Sequence, residues 1–334
     1  MSEPSLTEST TPIAAGAEVV AAAFLGGTPA LALADGDVLL AGIGEERRVA
    51  AHPNGAILVA ASDGKRLVTG GDDGRIVATD AEGRAQDIAE EKGKWIDALA
   101  LAREGGVAWS AGRTVRARDN KGAVKTLEAP SSVRGLAFFP KGYRLAIAHY
   151  NGVSLWFPNA SAAPEKLEWK GSHIDVTASP DGRFVLTTMQ ENTMHGWRLA
   201  DGKHMRMSGY PGKTRSLSWS SDGHWLATSG AQACIVWPFA TRDGPMGHSP
   251  RECGVRNAKV SRVAFHPQAP ILAIGYDDGW VLLCRLTDDA EVLVRGPRAG
   301  EDTSAITALA WDAKGKRLLF GAASGKAGLV DLPS

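Results

Sequence analysis

The sequence predicts an all-β fold: a closed ring of eight four-stranded antiparallel sheets, an eight-bladed β-propeller, with seven blades as the runner-up. Three observations carry this. The first is the stretch from Thr214 to Phe239, TRSLSWSSDGHWLATSGAQACIVWPF, which holds three short apolar runs. These runs are too short for helices, and they are bounded by Asp222-Gly223 and Ser229-Gly230, where glycine accepts a positive φ at no steric cost. The second is recurrence. The same pattern returns from Val133 to Phe157, Val260 to Cys284 and Ile306 to Val330, with weaker copies starting at Val19, Gly55, Ile96 and Ile174. The third is the period. Taking the aromatic position of each unit as an anchor gives Phe24, Ala60, Leu101, Phe138, Ala178, Trp219, Phe265 and Trp311, about 41 residues apart, against roughly 40–45 for a propeller blade. A ring of seven would require the unit at Ile96 to be discarded.

The units resemble the WD40-repeat family. Ser179-Pro180-Asp181-Gly182, Gly71-Asp72-Asp73-Gly74 and Asp277-Asp278-Gly279 match its turns, and Trp156, Trp197 and Trp237 match its third-strand tryptophan. The likeness runs from about residue 19 to the end. No unit ends in a Trp-Asp pair, and only Gly171-Ser172-His173 is similar to the Gly-His start. The family's His–Ser–Asp–Trp hydrogen-bond network is therefore not expected intact in any blade.

In chain order, residues 1–9 read as a loose polar tail and 10–334 as a single propeller. Pro12 to Ala15 suits an edge strand, where a proline's missing N–H is tolerated. The more polar segments Arg47 to Ala51, Ala123 to Glu128 and Glu291 to Arg295 read as outer strands, and Ala85 to Lys94 as an outer strand with a charged turn. The connections Thr241 to Asn257 and Arg295 to Ser304 are long, which marks them as candidate functional loops. The last unit ends just after its third strand, so the segment from about Thr10 to Ala15 is expected to supply its outer strand and close the ring.

The 37 basic and 37 acidic residues cancel, which argues against a global preference for nucleic acid or anionic membrane. Three cysteines without CxxC spacing, no signal peptide and no long apolar run read as a cytoplasmic, monomeric protein with reduced thiols. There is no G-x-S-x-G elbow, HExxH or P-loop, so no enzyme and no cofactor are expected. Asp72-Asp73 and Asp277-Asp278 read as turn formers, and His248 with Cys253 gives only two candidate ligands where zinc needs three or four. The alternative is a propeller hydrolase or metal-handling protein using a channel or loop site.

The preferred function is a protein- or peptide-binding scaffold. The residue four before each anchor falls at the channel rim: Val20, Ala56, Asp97, Arg134, Ile174, Arg215, Ser261 and Thr307. The turns between second and third strands open on the same face, which the WD40 resemblance implies to be the partner-binding one. The expected partner-binding residues are Asp97, Arg134, Tyr150, Glu191, Arg215, Arg262, Tyr276 and Thr307. Arginine and tyrosine are enriched at interaction hot spots, and the arginine fork captures carboxylates and phosphates. The partner is therefore read as acidic or phosphorylated.

Overall fold

The computed structural model describes residues 5–42, 46–297, 301 and 303–333. Its described strands form seven hydrogen-bonded antiparallel sheets in a propeller, which corrects the expectation of eight. Six sheets have four strands each. The seventh, within residues 135–207, has six and takes up both the Phe138 and the Ala178 units. The sequence places a turn at Tyr150-Asn151 and likens Gly171-Ser172-His173 to a repeat start, but the chain runs on at both. Leu145–Trp156 and Glu165–Ala178 are single long strands that pair from Tyr150↔Ser172 to Leu155↔Glu165. A register shift between Tyr150 and Gly152 takes up two extra residues on the partner strand, between Ser172 and Glu168. Asn151 sits at φ 67° and Gly152 at φ 143°. A Cβ on Gly152 would lie 2.2 Å from the Leu167 carbonyl oxygen, so only glycine lets the ladder pass.

The anchor register holds in seven units and slips in one. Phe24, Phe265 and Trp311 pair with Pro29, Leu272 and Leu318 on the second strands. In the second unit the equivalent of these anchors is Ser62, opposite Leu67, rather than Ala60. Ser62 stands five residues after Ile57, as Phe24, Phe265 and Trp311 stand five after Val19, Val260 and Ile306, and the register shift at the strand start is shared by all four units. Phe265 is buried, while Trp219 and Trp311 are half-buried, with indole N–H groups that reach neighbouring first strands. Trp219 donates to Thr177 Oγ1 (3.0 Å) and Trp311 to the Ala264 carbonyl (3.0 Å).

Adjacent units meet through a repeated joint. Five residues before the register-corrected anchor stand Val19, Ile57, Ile96, Val133, His173, Thr214, Val260 and Ile306, all buried. Where the preceding second strand offers glycine, the fit is tight. A Cβ on Gly70, Gly275 or Gly321 would come within 2.6 Å of Ile96, Ile306 or Val19. A β-branched knob on a bare backbone brings the sheets together without a void.

The ring closes through the N-terminus. Thr10–Ala14 pairs antiparallel with Lys326–Val330, completing the sheet of residues 306–331. Ile13, Ala15 and Val19 are buried there. Of the stretch read as a tail, residues 1–4 lie outside the described residues. Thr7–Ser9 forms one 3-10 turn, and the Leu6 N–H donates to the Leu293 carbonyl (2.7 Å).

Deleting residues 1–16 is expected to lower the melting temperature markedly, because it removes the closing strand and leaves the strand of residues 326–331 as an unpaired edge; an unchanged Tm in a thermal melt would contradict this. Gly321→Ala should destabilise by about 1–3 kcal/mol through overpacking on Val19. Adding Val19→Ala should recover part of that loss in a double-mutant cycle by denaturant titration.

Candidate functional site

The first strands surround a cavity of about 680 Å³ in the central channel, within the range of ligand sites. Val20, Asp97, Arg134, Ile174, Arg215 and Arg262 line it, with Leu58 in the place assigned to Ala56 by the slipped register. Asp97 and Arg134 form an ion pair (3.4 Å) at the mouth, with Arg134 largely solvated, and such a pair contributes little stability. Arg215 is exposed. Trp95, two residues before Asp97, is 66% exposed on the connection leading to that strand.

Arg262 is half-buried and anchored by backbone. Its Nε donates to the Thr307 carbonyl (2.6 Å) and its Nη1 to the Ser261 carbonyl (3.0 Å). Desolvation and then the nearby Arg215 charge hold its pKa below the ordinary guanidinium value, with Asp175 and Glu18 opposing. Asp175 also lines the cavity. Burial pushes its carboxyl up to about 6, against the pull of the Val176 N–H and Arg262.

The remaining expected site residues divide. Tyr150 is 53% exposed beside a groove shared with Trp169 and Lys170. Glu191 lies in a second groove against the same two residues, and its carboxylate accepts the Ser172 N–H (3.2 Å). Thr307 sits at the joint between the last two first strands, its hydroxyl donating to the Gly321 carbonyl (3.3 Å). Tyr276 is corrected from the loop surface to the core. It is fully buried, and its hydroxyl donates to the Gly254 carbonyl. The Tyr276 N–H bonds the Trp280 carbonyl (3.0 Å), so the turn begins one residue later.

The paired carboxylates act in turns. Asp72 accepts the Ala56 N–H (2.7 Å) and Asp277 the Lys259 N–H (3.0 Å). Asp73 is partnered with His52 Nδ1 (3.0 Å), whose Nε2 meets Thr69 Oγ1 (2.8 Å). Three members of a His–Ser/Thr–Asp–Trp arrangement thus stand in this sheet, where none was expected as a complete set, and Thr79 occupies a neighbouring buried position. In the sheet of residues 217–253 a tyrosine takes the histidine's place. Tyr210 OH bonds Thr228 Oγ1 (2.7 Å) and accepts the Trp237 indole N–H (2.7 Å). No group of three or more metal-ligating side chains stands together among the described residues, and no helix among them is long and apolar enough to cross a membrane.

Sequence reasoning missed Asp175, Trp95 and Trp169. For Asp175 a signal existed. Three residues before the corrected anchors stand Ala21, Val59, Ala98, Gly135, Asp175, Ser216, Arg262 and Ala308, so the two charges are the exceptions.

A carboxyl with a raised pKa binds its proton more tightly in the folded than in the unfolded state. Asp175 therefore contributes stability that is fully present below about pH 4 and lost as the pH rises through about 6. Asp175→Asn is expected to gain Tm relative to the parent between those values and to hold the gain above them. Parallel melting curves across that range would show that Asp175 does not carry the effect.

Comparison with known proteins agrees with the architecture. The family described as the anaphase-promoting complex subunit 4 WD40 domain matches residues 263–334, and the WD domain, G-beta repeat family matches 204–237. A cell division cycle 20.1 protein of Arabidopsis thaliana, described as a cofactor of APC complex, is 26% identical over 203 residues, which is 56% of this chain and 42% of the relative. WD repeat-containing protein 1-B of Xenopus laevis is 32% identical over 77 residues, 22% of this chain and 13% of the relative. The chain thus matches less than half the length of either curated relative. Among solved structures, the computationally designed Ika8 protein superposes with a TM-score of 0.76 at 18% identity, covering 95% of this chain and 96% of the design, a likeness of fold alone. The family matches over residues 204–237 and 263–334, set in a ring of antiparallel sheets closed by the N-terminal strand, support the WD40-repeat resemblance of this β-propeller.

Proposed function

We propose that the protein is a non-catalytic interaction scaffold that docks a protein or peptide partner on the face around the channel mouth. The observation that carries this is the convergence of Arg134, Arg215 and Arg262, from three repeat units, on one open cavity. Of these, Arg134 is paired with Asp97. Guanidinium groups facing an opening, two of them solvated and Arg262 half-buried, suit carboxylates or phosphates on an incoming chain. Exposed Trp95, two residues before Asp97 in the chain, is an aromatic side chain of the kind typical of hot spots. The Arabidopsis relative, described as a cofactor of APC complex, is by that name a protein that works with other proteins. The partner is read as acidic, the scaffold as a monomer with no nucleic-acid or membrane ligand. Three free buried cysteines fit a cytoplasmic setting.

The double change Arg134→Glu and Arg215→Glu tests the face. The variant is expected to keep its circular dichroism and Tm, since both side chains are solvated, yet to lose the partners that the tagged parent captures. The same partners in the same yield would move the docking surface away from the channel, to the 241–257 loop or the grooves beside Trp169.

A further inference from the structure

One joint in the ring departs from the pattern of the rest. At seven units the knob is Val, Ile or a hydrogen-bonded His173, facing Ala, Gly or Ser on the preceding second strand. At the remaining joint the knob is Thr214, and the preceding strand offers Thr188, the register partner of Asp175. Both threonines are essentially fully buried and both line the channel cavity. Neither hydroxyl has a hydrogen-bond partner among the described residues. A buried hydroxyl without a partner forfeits its hydrogen bonds to water and is destabilising, whereas valine would fill the same volume at no such cost.

Arg215 follows Thr214 directly, and Arg262 faces the same cavity from the next unit. Both guanidinium groups act on one another as like charges, with Asp175 as the carboxylate set against Arg262. Arg262 spends its Nε and Nη1 on backbone carbonyls, which fixes the group and leaves its remaining edge for the cavity. This wall therefore holds more donors than acceptors. They come from several directions, whereas a planar carboxylate needs only one arginine fork.

We propose that the channel wall formed by Thr188, Thr214, Arg215 and Arg262 is a binding site for a tetrahedral oxyanion of the phosphate class. The site requires no protein at the mouth, so it stands or falls separately from the scaffold reading. The two hydroxyls donate to the anion, the two arginines neutralise it, and Asp175 is the acceptor that opposes it.

The test is isothermal titration of the full chain with inorganic phosphate, sulfate and acetate, alongside melts in each salt. Phosphate and sulfate are expected to bind and raise Tm, and acetate to bind at least tenfold more weakly. Thr188→Val with Thr214→Val, and separately Arg215→Ala, should weaken phosphate binding roughly tenfold or more. Asp175→Asn should strengthen it. A phosphoserine peptide separates two sources: tighter binding than inorganic phosphate assigns the site to a phosphoryl group carried on a chain, and equal or weaker binding assigns it to the free anion. The proposal is overturned if neither phosphate nor sulfate binds at about 10 mM. It is equally overturned if the threonine pair can be changed to valine with a gain in Tm and no change in phosphate affinity. Arg262→Lys serves as a check on folding, because it keeps the charge while giving up the backbone anchors.

Discussion

Every sheet of this ring depends on the pairing of Thr10–Ala14 with Lys326–Val330. A propeller sheet is flanked by others, and each flank buries a face that would otherwise meet water. The chain's two ends come together in one sheet, so this pairing forms correctly only when the intervening sheets are in place. Joining segments more than 300 residues apart in an unfolded chain would cost on the order of 5 kcal/mol in loop entropy. In the assembled ring most of that ordering is already complete. The seam repeats the joint used elsewhere: Val19 meets Gly321 as Ile96 meets Gly70 and Ile306 meets Gly275. The last contact to form therefore has the same shape as the earlier ones, and the ring is tied by chain connectivity rather than by a special interface.

Most of this was legible because the period is strong. The units around Trp219, Phe265 and Trp311 carry a large side chain at a fixed distance from a turn, and their strands fall where the pattern places them. The second unit was misplaced because Ile57 to Ala61 is apolar at both parities, so alternation could not fix which residue faces inward. The fusion within residues 135–207 was hidden for a related reason. Asn151, Gly152 and Gly171 look like turn residues, and their left-handed backbone is real, but it serves bulges inside a continuous ladder. Tyr276 was taken for a loop residue because it borders Asp277-Asp278-Gly279; one further ladder bond draws it inward.

The buried threonine on the second strand shows how the repeat tolerates drift. Thr69, Thr187 and Thr228 hold one structural position, and each needs a partner for its hydroxyl. His52, His173 and Tyr210 supply it, at 2.8, 2.7 and 2.7 Å. In other units the same position is Leu31, Ile147, Ile274 or Phe320, which need no partner, or Trp109, whose indole N–H donates to the Glu91 carboxylate (2.8 Å). The constraint is satisfaction of a buried polar group rather than a particular residue. A motif search by residue type overlooks Tyr210, whereas counting donors and acceptors finds it.

The same accounting separates the scaffold from its working surface. Most knobs are apolar, whereas Thr214 is a knob whose hydroxyl has no partner, and Thr188, Asp175, Arg215 and Arg262 line the same cavity with it. Other buried polar atoms without a partner, Thr79 Oγ1 and Ser110 Oγ among them, do not line that cavity. Elsewhere around the ring, aliphatic or hydrogen-bonded knobs hold the joints, so stability does not require charge or unpaired hydroxyls here. Arg262 is moreover fixed by two backbone carbonyls, which restrains a long side chain that would otherwise reach water. A guanidinium held in place, beside hydroxyls that nothing in the fold satisfies, is an arrangement organised toward the interior of the channel. The repeat pattern is abandoned along this arc of the channel, and the rest of the ring keeps it in position.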